Sequence, residues 1–221
     1  GVPQGGFHSY DVLDHSLYAC DGGPKDRPEV RFAALFHDIG KADTFATEDG
    51  EEDGRPTFYG HEEVSERKTR KICRRLRFSR ASEERICRLI RHHMFNYTEE
   101  WSDAAVRRFI ARVGTDLIDD LFALRIADKY GMHRAVPRDG QIERFKTRID
   151  RVLSQQETLS VRDLAVDGHM LEEEAGIPKG PDMGTVIDQL MEAVLDDPNM
   201  NTKEKLLELA RSFYATYLQR R

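Results

Sequence analysis

Several histidine and aspartate residues interrupt the apolar pattern of this sequence at positions far apart along the chain. The residues concerned are His15, His37, Asp38, His61, His93 and Asp128. Imidazole and carboxylate groups together form the ligand set that suits Fe, Mn, Co, Ni or Zn. Because no cysteine pair lies near them, a structural zinc–thiolate site is disfavoured. The residue types therefore indicate a divalent metal site with nitrogen and oxygen ligands.

Asp128 is the member of this set whose position most needs an explanation. Leu117, Leu121, Leu124 and Asp128 follow one another at steps of four, three and four residues, the spacing of one helix face. A carboxylate on such a face costs on the order of several kcal/mol of folding free energy unless a partner compensates it. We therefore expect Asp128 to meet a partner group or a metal ion.

The same kind of spacing distinguishes the adjacent histidines His92 and His93. Ile86, Leu89, Ile90 and His93 lie at positions i, i+3, i+4 and i+7 of one helical pattern. This phase predicts that His93 lies on the buried face of its helix and that His92 is turned away from it.

Apolar residues recur at helical spacing along almost the whole chain, and no strictly alternating stretch is long enough to propose a sheet. The sequence therefore predicts an all-α fold. A first helix over about residues 12–20 ends at a Gly-Gly-Pro segment, and a second begins near Pro28 and stops at Gly40. The second helix is apolar all round, so we expect it to be central. Ligands from several helices then predict a pocket inside a helical bundle.

Serine and glycine residues predict the boundaries of the next elements. Residues 41–60 form a long polar stretch, acidic over 48–53, which we expect to be a loop over the site. A basic helix over about residues 61–76 follows it. Ser82 and Ser102 are expected to cap the two helices after that. Gly131 is expected to end the helix that carries Asp128.

The pattern changes after residue 157 to short helical segments separated by glycine and proline, with a last helix beginning at Asn201 or Thr202. We therefore predict two domains. Residues 1–157 form a metal-binding helical domain, and residues 158–221 form a small C-terminal helical subdomain.

Composition narrows the classes of protein to which the chain can belong. With 221 residues, 39% hydrophobic and 33% charged, it is expected to fold, and its longest apolar region, near residues 32–36, is too short to span a membrane. The net charge of −6 argues against coating nucleic acid through bulk charge. Three separated cysteines predict reduced thiols and a cytoplasmic location. The N-terminal segment lacks an initiator methionine and a signal-peptide layout, so we expect a domain boundary there.

Several of these residues lie in segments that resemble the motifs of a known protein family. Segment 36–41 (FHDIGK), with His15 in 11–17 (DVLDHSL) and Asp128 in 124–128 (LRIAD), resembles the HD superfamily of metal-dependent phosphohydrolases. Further segments, spread nearly end to end, resemble the C-terminal HD region of bacterial tRNA nucleotidyltransferases and poly(A) polymerase-like proteins: 58–62 (FYGHE), 89–94 (LIRHHM), 159–164 (LSVRDL) and 201–207 (NTKEKLL). The nucleotidyltransferase head, with its Gly-Gly-Ser turn and paired aspartates, is not present. We therefore expect no polymerising chemistry from this chain.

The resemblance implies a role for each residue of the set. One metal would be held by His15, His37, Asp38 and Asp128. His61 and His93 match the two extra histidines that help to hold a second metal in binuclear HD hydrolases. Asp38 would bridge the two ions, a metal-activated water would attack phosphorus, and Lys41 would contact the phosphate. The implied cofactor is a divalent ion (Mg, Mn, Co, Ni or Fe), with one or two bound per chain.

Two functions are compatible with these residues. The first is a phosphohydrolase that acts on a phosphomonoester or a 2′,3′-cyclic phosphodiester of a nucleotide or RNA end. The alternative is a non-catalytic region that binds RNA or tRNA for a nucleotidyltransferase. The basic run between Arg67 and Arg80 is typical of a solvated helix face, and contact with a tRNA backbone is the rival interpretation.

Overall fold

The computed structural model describes residues 1–4, 9–47, 56–135, 140–155 and 160–219. The predicted all-α class is confirmed, since α-helices dominate and the described strands are two residues long. In chain order the elements are α1 (Val12–Gly22), α2 (Pro28–Phe36), α3 (Lys41–Thr44), β1 (Ala46–Thr47), β2 (Pro56–Thr57), α4 (His61–Arg75), α5 (Arg80–His92), α6 (Asp103–Val113), α7 (Ile118–His133), α8 (Gln141–Gln155), α9 (Gly168–Glu173), α10 (Pro181–Asp196) and α11 (Lys203–Gln219). Short 3-10 turns at Val161–Asp163 and Pro198–Met200 flank α9 and α10. No described helix has the length and apolar character needed to cross a membrane.

The segment predicted as a plain polar loop contains regular structure at both ends. Its first residues form α3, and β1 pairs with β2 in an antiparallel register of Ala46 with Thr57 and Thr47 with Pro56. The expectation of a structureless loop is therefore wrong at these ends, where two-residue strands are too short to leave an alternating pattern. The acidic stretch 48–53 lies outside the described residues.

Three predicted helix boundaries are also wrong, while a fourth is confirmed. The helix predicted to stop at Gly40 ends at Phe36, and residues 37–40 form turns. The cap of α5 is Ser79, whose hydroxyl accepts a hydrogen bond from the amide of Ser82 at 3.0 Å. Helix α7 continues through Gly131 to His133. In contrast, Ser102 does precede α6, and its hydroxyl accepts from the amide of Ala105 at 3.2 Å. Which of two nearby serines caps a helix depends on where the backbone enters the helix, so the sequence alone does not distinguish Ser79 from Ser82.

The chain forms two compact units, each of which is assembled from two stretches of sequence. The first unit comprises Gly1–Tyr97 and Val113–Ile142, and the second comprises Thr98–Arg112 and Glu143–Arg221. The boundary predicted near residue 157 lies outside the described residues. The division into 1–157 and 158–221 therefore stays a prediction.

The first unit is built around α2, as its apolar composition predicts. Helix α2 packs against α1, α5 and α7, while α1 also packs on α7 and α4 on α5. Val30, Ala33 and Ala34 of α2 are fully buried. Cys20, Cys73 and Cys87 are free thiols. A short central helix that contacts three others brings their side chains to a common point at its C-terminal end.

The second unit has a separate hydrophobic core. Its fully buried members Leu171, Ile177, Val186 and Leu190 pack with residues of α11. A second group of rings joins α6 to α8, with Phe109 and Phe145 centroids 5.0 Å apart. Arg107 is buried and donates to the carbonyl oxygens of Leu195 and Asp196 at the end of α10.

Two glycines allow backbone segments of the first unit to approach closely. A Cβ atom on Gly131 of α7 would lie 2.8 Å from the carbonyl oxygen of His15 and 2.9 Å from the Cβ of Ala19, both in α1. A Cβ atom on Gly40 would lie 2.5 Å from the carbonyl oxygen of His61. The absence of a side chain at these points lets α1 meet α7 and lets the end of α2 meet the start of α4.

Replacing Gly131 by alanine should lower the free energy of unfolding by about 1–3 kcal/mol, because the added methyl group overpacks the contact between α1 and α7. The matched control is Gly184→Ala in α10, where a Cβ atom meets nothing within 4 Å. That change should raise stability by about 0.5–1 kcal/mol, as expected for alanine in an open helical position. Urea denaturation followed by circular dichroism measures both; equal effects of the two substitutions would contradict the packing argument.

Candidate metal centre

The six residues predicted as metal ligands come together in the first unit. His37 and Asp38 directly follow α2, His15 lies in α1, His61 begins α4, His93 follows α5 and Asp128 lies in α7. All four histidines and Asp38 are buried, and the Asp128 side chain is only 13% exposed. The predicted burial of His93 is thereby confirmed. Five helices thus deliver polar side chains to one point inside an apolar bundle.

The first group of ligand atoms consists of His15, His37 and Asp128. The Nε2 atoms of His15 and His37 are 3.2 Å apart. The Asp128 Oδ1 atom lies 3.1 Å from His15 Nε2 and 3.5 Å from His37 Nε2. These three residues satisfy the distance requirement for a shared metal ion. The tertiary structure therefore brings together three of the four residues that the resemblance implies for one metal, and Asp38 Oδ2 is 3.5 Å from His15 Nε2.

The second group lies on the other side of Asp38. His61 Nε2 and His93 Nε2 are 3.3 Å apart, and Asp38 Oδ1 lies 3.3 Å from the former and 3.8 Å from the latter. The other oxygen, Asp38 Oδ2, lies 3.2 Å from His37 Nε2. Asp38 therefore presents one oxygen to each group. A carboxylate placed in this way can serve two cations at once.

The orientation of the imidazole rings is set by backbone carbonyl groups three residues earlier in the chain. The Nδ1 atoms of His37, His61 and His93 lie 2.7, 2.8 and 2.7 Å from the carbonyl oxygens of Ala34, Phe58 and Ile90. A carbonyl oxygen only accepts hydrogen bonds, so Nδ1 must carry the proton in each ring. In the neutral rings, Nε2 then has a free lone pair directed at the centre, as in metal-binding histidines.

This orientation provides the test of whether a cation fits. The buried Asp38 Oδ1 atom has no hydrogen-bond partner among the described residues, although His61 Nε2 is nearby. A singly protonated His61 ring places its proton on Nδ1, toward the Phe58 carbonyl oxygen, so that Nε2 and Asp38 Oδ1 face each other as two acceptors. His93 Nε2 adds a third acceptor to the same place. Three acceptors in contact without a donor form a site that a divalent cation satisfies.

The charges of the carboxylates are consistent with that fit. Burial by itself would raise the pKa of Asp38, but His37 beside it holds that pKa well below its usual value. Burial would likewise raise the pKa of Asp128, and hydrogen bonds from His15 and His37 lower it well below normal. Both side chains are therefore ionised at neutral pH, as metal ligands must be.

The two groups differ in their affinity for protons. For the side chains alone, burial lowers the pKa of His37, but the charges and hydrogen bonds of the Asp38 and Asp128 carboxylates together outweigh burial and raise this pKa to about 10. The pKa of His93 falls to about 3, because burial and then the charge on His37 both disfavour its protonation. His93 is therefore neutral at pH 7 and keeps its Nε2 lone pair available.

Lys41 is buried beside the centre and does not extend into solvent. Its Nζ atom lies 2.8 Å from Asp38 Oδ2 and donates to Gln4 Oε1 at 2.6 Å. The ammonium group therefore offsets part of the negative charge on Asp38. The predicted contact between Lys41 and a substrate phosphate stays a prediction, although Lys41 does line the adjoining cavity.

A cavity of about 710 Å³ opens directly over the centre. Besides Lys41 and five of the six predicted ligands, all but His15, its lining includes residues for which the sequence predicts no role: Phe58, Tyr59, Glu62, Met94, Arg125 and Met132. Each of them lies within about one helical turn of a predicted ligand along the chain. That proximity is a signal available from the sequence, but it does not say which neighbours turn toward the cavity.

Comparison with known proteins identifies relatives of the whole chain. It is 32% identical over 200 residues to the A-adding tRNA nucleotidyltransferase of Deinococcus radiodurans, a match that covers 87% of this chain and 44% of that protein. It is 34% identical over 219 residues to the CC-adding tRNA nucleotidyltransferase of Thermus thermophilus, which covers 96% of this chain and 46% of that protein. The chain thus spans less than half the length of these curated relatives. No solved structure matches it.

A third relative matches a shorter part of the chain. Over 86 residues, 35% of its length, the chain is 42% identical to the multifunctional CCA protein of Dechloromonas aromatica. At the level of families, residues 6–132 match the HD domain, a stretch that begins before α1 and includes every residue of the candidate centre. The ligand geometry and this match agree, and the chain belongs to the HD domain family.

Proposed function

We propose that the chain is a metal-dependent phosphohydrolase that acts on a phosphomonoester or a 2′,3′-cyclic phosphodiester of a nucleotide or RNA end. The observation that carries this proposal is the convergence of four buried Nε2 atoms and two ionised carboxylates on one point. A cavity of about 710 Å³ adjoins that point, so a substrate can reach it. A purely structural metal site is normally closed by its ligands and needs no such opening.

The residues of the chain have separable tasks in this proposal. His15, His37 and Asp128 would hold one divalent ion, His61 and His93 would hold a second, and Asp38 would belong to both. A divalent metal in such a site activates water for attack and neutralises negative charge on phosphoryl oxygens. The carbonyl groups behind His37, His61 and His93 would keep the Nε2 atoms of these three rings directed at the ions. Lys41 keeps Asp38 ionised and correctly oriented through its contacts with Asp38 and Gln4.

The class of substrate is supported by the relatives. Their names describe nucleotidyltransferases that act on tRNA, and a nucleotide or RNA end is the corresponding phosphate ester. The cavity volume falls in the range of about 300–1,000 Å³ that is usual for small-molecule sites. A nucleotide-sized ester is therefore a suitable occupant.

A second candidate function, the binding of RNA or tRNA, is favoured by one surface feature. Arg67, Lys71 and Arg75 are exposed at successive i, i+4 positions of α4, and no ion pair with another described residue engages them. Their neighbours differ in this respect. Arg70 pairs with Glu66, Glu83 and Glu84, and Lys68 pairs with Asp43. We call Arg67, Lys71 and Arg75 the α4 basic stripe, and we propose it as the contact for an RNA backbone.

Replacing Asp38 by alanine should abolish most metal binding and lower turnover by more than about 100-fold. The reason is that this change removes the carboxylate shared by both groups, a larger loss than the roughly 10- to 100-fold effect of removing a residue that only hydrogen-bonds to a ligand. Metal content measured by plasma spectrometry, with assays on p-nitrophenyl phosphate, its bis-ester and 2′,3′-cyclic nucleotides in Mg, Mn, Co and Ni, provides the test. Asp188→Ala, an exposed change in α10, is the control. Undiminished turnover in a folded, metal-free Asp38→Ala protein would refute the enzyme proposal.

Reversing the three charges of the α4 basic stripe to glutamate should weaken the binding of any RNA sequence alike. It should also reduce the slope of log affinity against log salt by about 2, since each lost phosphate contact on a single strand contributes about 0.7. The matched control reverses three exposed cations that lack described ion pairs elsewhere, Lys25, Arg112 and Arg162. Filter binding at several salt concentrations measures the effect, and metal content should not change. If both triple variants weaken binding equally, net charge and not the stripe is responsible.

A further inference from the structure

Two features of the cavity lining are not explained by metal binding. The first is Arg125, which lines the cavity with a side chain that is 25% exposed. The second is an exposed apolar rim, where Tyr59 is 86% and Met94 is 59% exposed. Large apolar side chains so open to water gain little from folding, so they are available to a ligand.

Arg125 is held in one orientation by two contacts. Its Nη1 atom donates to Asp128 Oδ2 at 3.0 Å, and its Cζ atom lies 5.7 Å from the centroid of the Phe95 ring. The guanidinium group has five N–H donors, and the others meet no acceptor within the described part of the chain. A fixed fork of free donors is suited to the oxygens of a phosphate group. Because Asp128 is a proposed ligand, this fork is tied directly to the metal centre.

Tyr59 is placed near the centre by its position in the chain just before a predicted ligand. It lies two residues before His61, with Gly60 between them in the left-handed conformation at φ 73°. The preceding ring, Phe58, is 5.8 Å from the Phe45 ring in an edge-to-face contact, and Lys41 Nζ lies 5.3 Å from the Phe58 centroid. Phe58 is thus anchored, while Tyr59 stays exposed at the cavity. An exposed aromatic ring beside a phosphate site is suited to stack on a nucleobase.

We infer that the cavity is a nucleotide subsite in which Arg125 binds the phosphoryl oxygens and Tyr59 stacks on the base. The inference rests on the proposed function only in placing the phosphate at the metal centre. It adds the two residues that bind the substrate and the requirement for a base. Arg125 is then a substrate-binding residue as well as a support for Asp128.

The role of Tyr59 is tested by equilibrium binding, which does not depend on turnover. Adenosine 5′-O-thiomonophosphate resists hydrolysis, and inorganic thiophosphate offers the thiophosphoryl group without the nucleoside. Calorimetry with the Mn²⁺-loaded chain should show tighter binding of the nucleotide. Tyr59→Ala should weaken nucleotide binding by about 5- to 100-fold, the effect of losing one stacked aromatic ring, and leave thiophosphate binding unchanged. Tyr59→Phe should retain the wild-type preference.

The control for Tyr59 is Leu76→Ala, because Leu76 is also an exposed apolar side chain but does not line the cavity. It should bind both anions as the wild-type chain does. Equal affinity of the wild-type chain for the nucleotide and for thiophosphate would overturn the base-stacking part of the inference. Unchanged nucleotide binding by Tyr59→Ala would overturn it as well.

The role of Arg125 is tested with the same two anions. Arg125→Gln should weaken both by about 10- to 100-fold, as expected for the loss of charge-assisted hydrogen bonds, and Arg125→Lys should restore part of the affinity. Arg112→Gln, an exposed change in α6, is the control. Metal content is measured in each variant. If Arg125→Gln loses metal and excess Mn²⁺ restores anion binding, Arg125 only positions Asp128 and the assignment of phosphate binding is wrong.

These outcomes separate the inference from the proposed hydrolysis. A chain that binds the nucleotide through Tyr59 and Arg125 but hydrolyses no ester refutes the phosphohydrolase and leaves the nucleotide subsite intact. A chain that hydrolyses esters but binds both anions equally, with no effect of either substitution, refutes the subsite and leaves the enzyme intact.

Discussion

The buried carboxylate of Asp38 is the group around which the first unit is arranged. An ionised carboxylate in an apolar bundle is costly unless other charges and donors surround it. Here its oxygens lie close to His37, His61 and Lys41, and its pKa is held well below the usual value. Because each oxygen faces a different pair of imidazoles, the same group couples the two halves of the candidate centre. A change in its position would alter both halves together.

The backbone of the bundle supports this arrangement at several independent points. Gly131 lets α7 approach α1, which places Asp128 within 3.1 Å of His15. Gly40 lets the end of α2 reach the first turn of α4, and its amide donates to Ser65 Oγ at 2.8 Å. Backbone carbonyl groups then fix the direction of the His37, His61 and His93 rings. The centre is thus preorganised by packing and backbone hydrogen bonds, which lowers the entropy lost when a cation binds.

The proposed enzyme and the proposed RNA contact use different parts of the same unit. The centre and its cavity involve the N-terminal end of α4, whereas the α4 basic stripe begins at Arg67, about 9 Å further along the helix axis. Both belong to the first unit and lie within residues 6–132, the stretch that matches the HD domain. An RNA end as substrate would use both parts of the unit. Its backbone would contact the α4 basic stripe, and its terminal phosphate would bind at the centre. The chain spans less than half the length of these curated relatives.

The sequence by itself determined the all-α class, the central position of α2, the burial of His93 and the set of candidate ligands. These features follow from residue type and from a helical period that is local to each element. It did not determine that Ser79 caps α5, that Lys41 is held by Gln4, or that Arg125 and Tyr59 line the cavity. Those contacts depend on which segments meet after packing, and side chains distant in sequence share no local period. Only the tertiary structure decided them. The energy of a contact depends on the distance between the two side chains, and packing sets that distance when the residues are far apart in sequence.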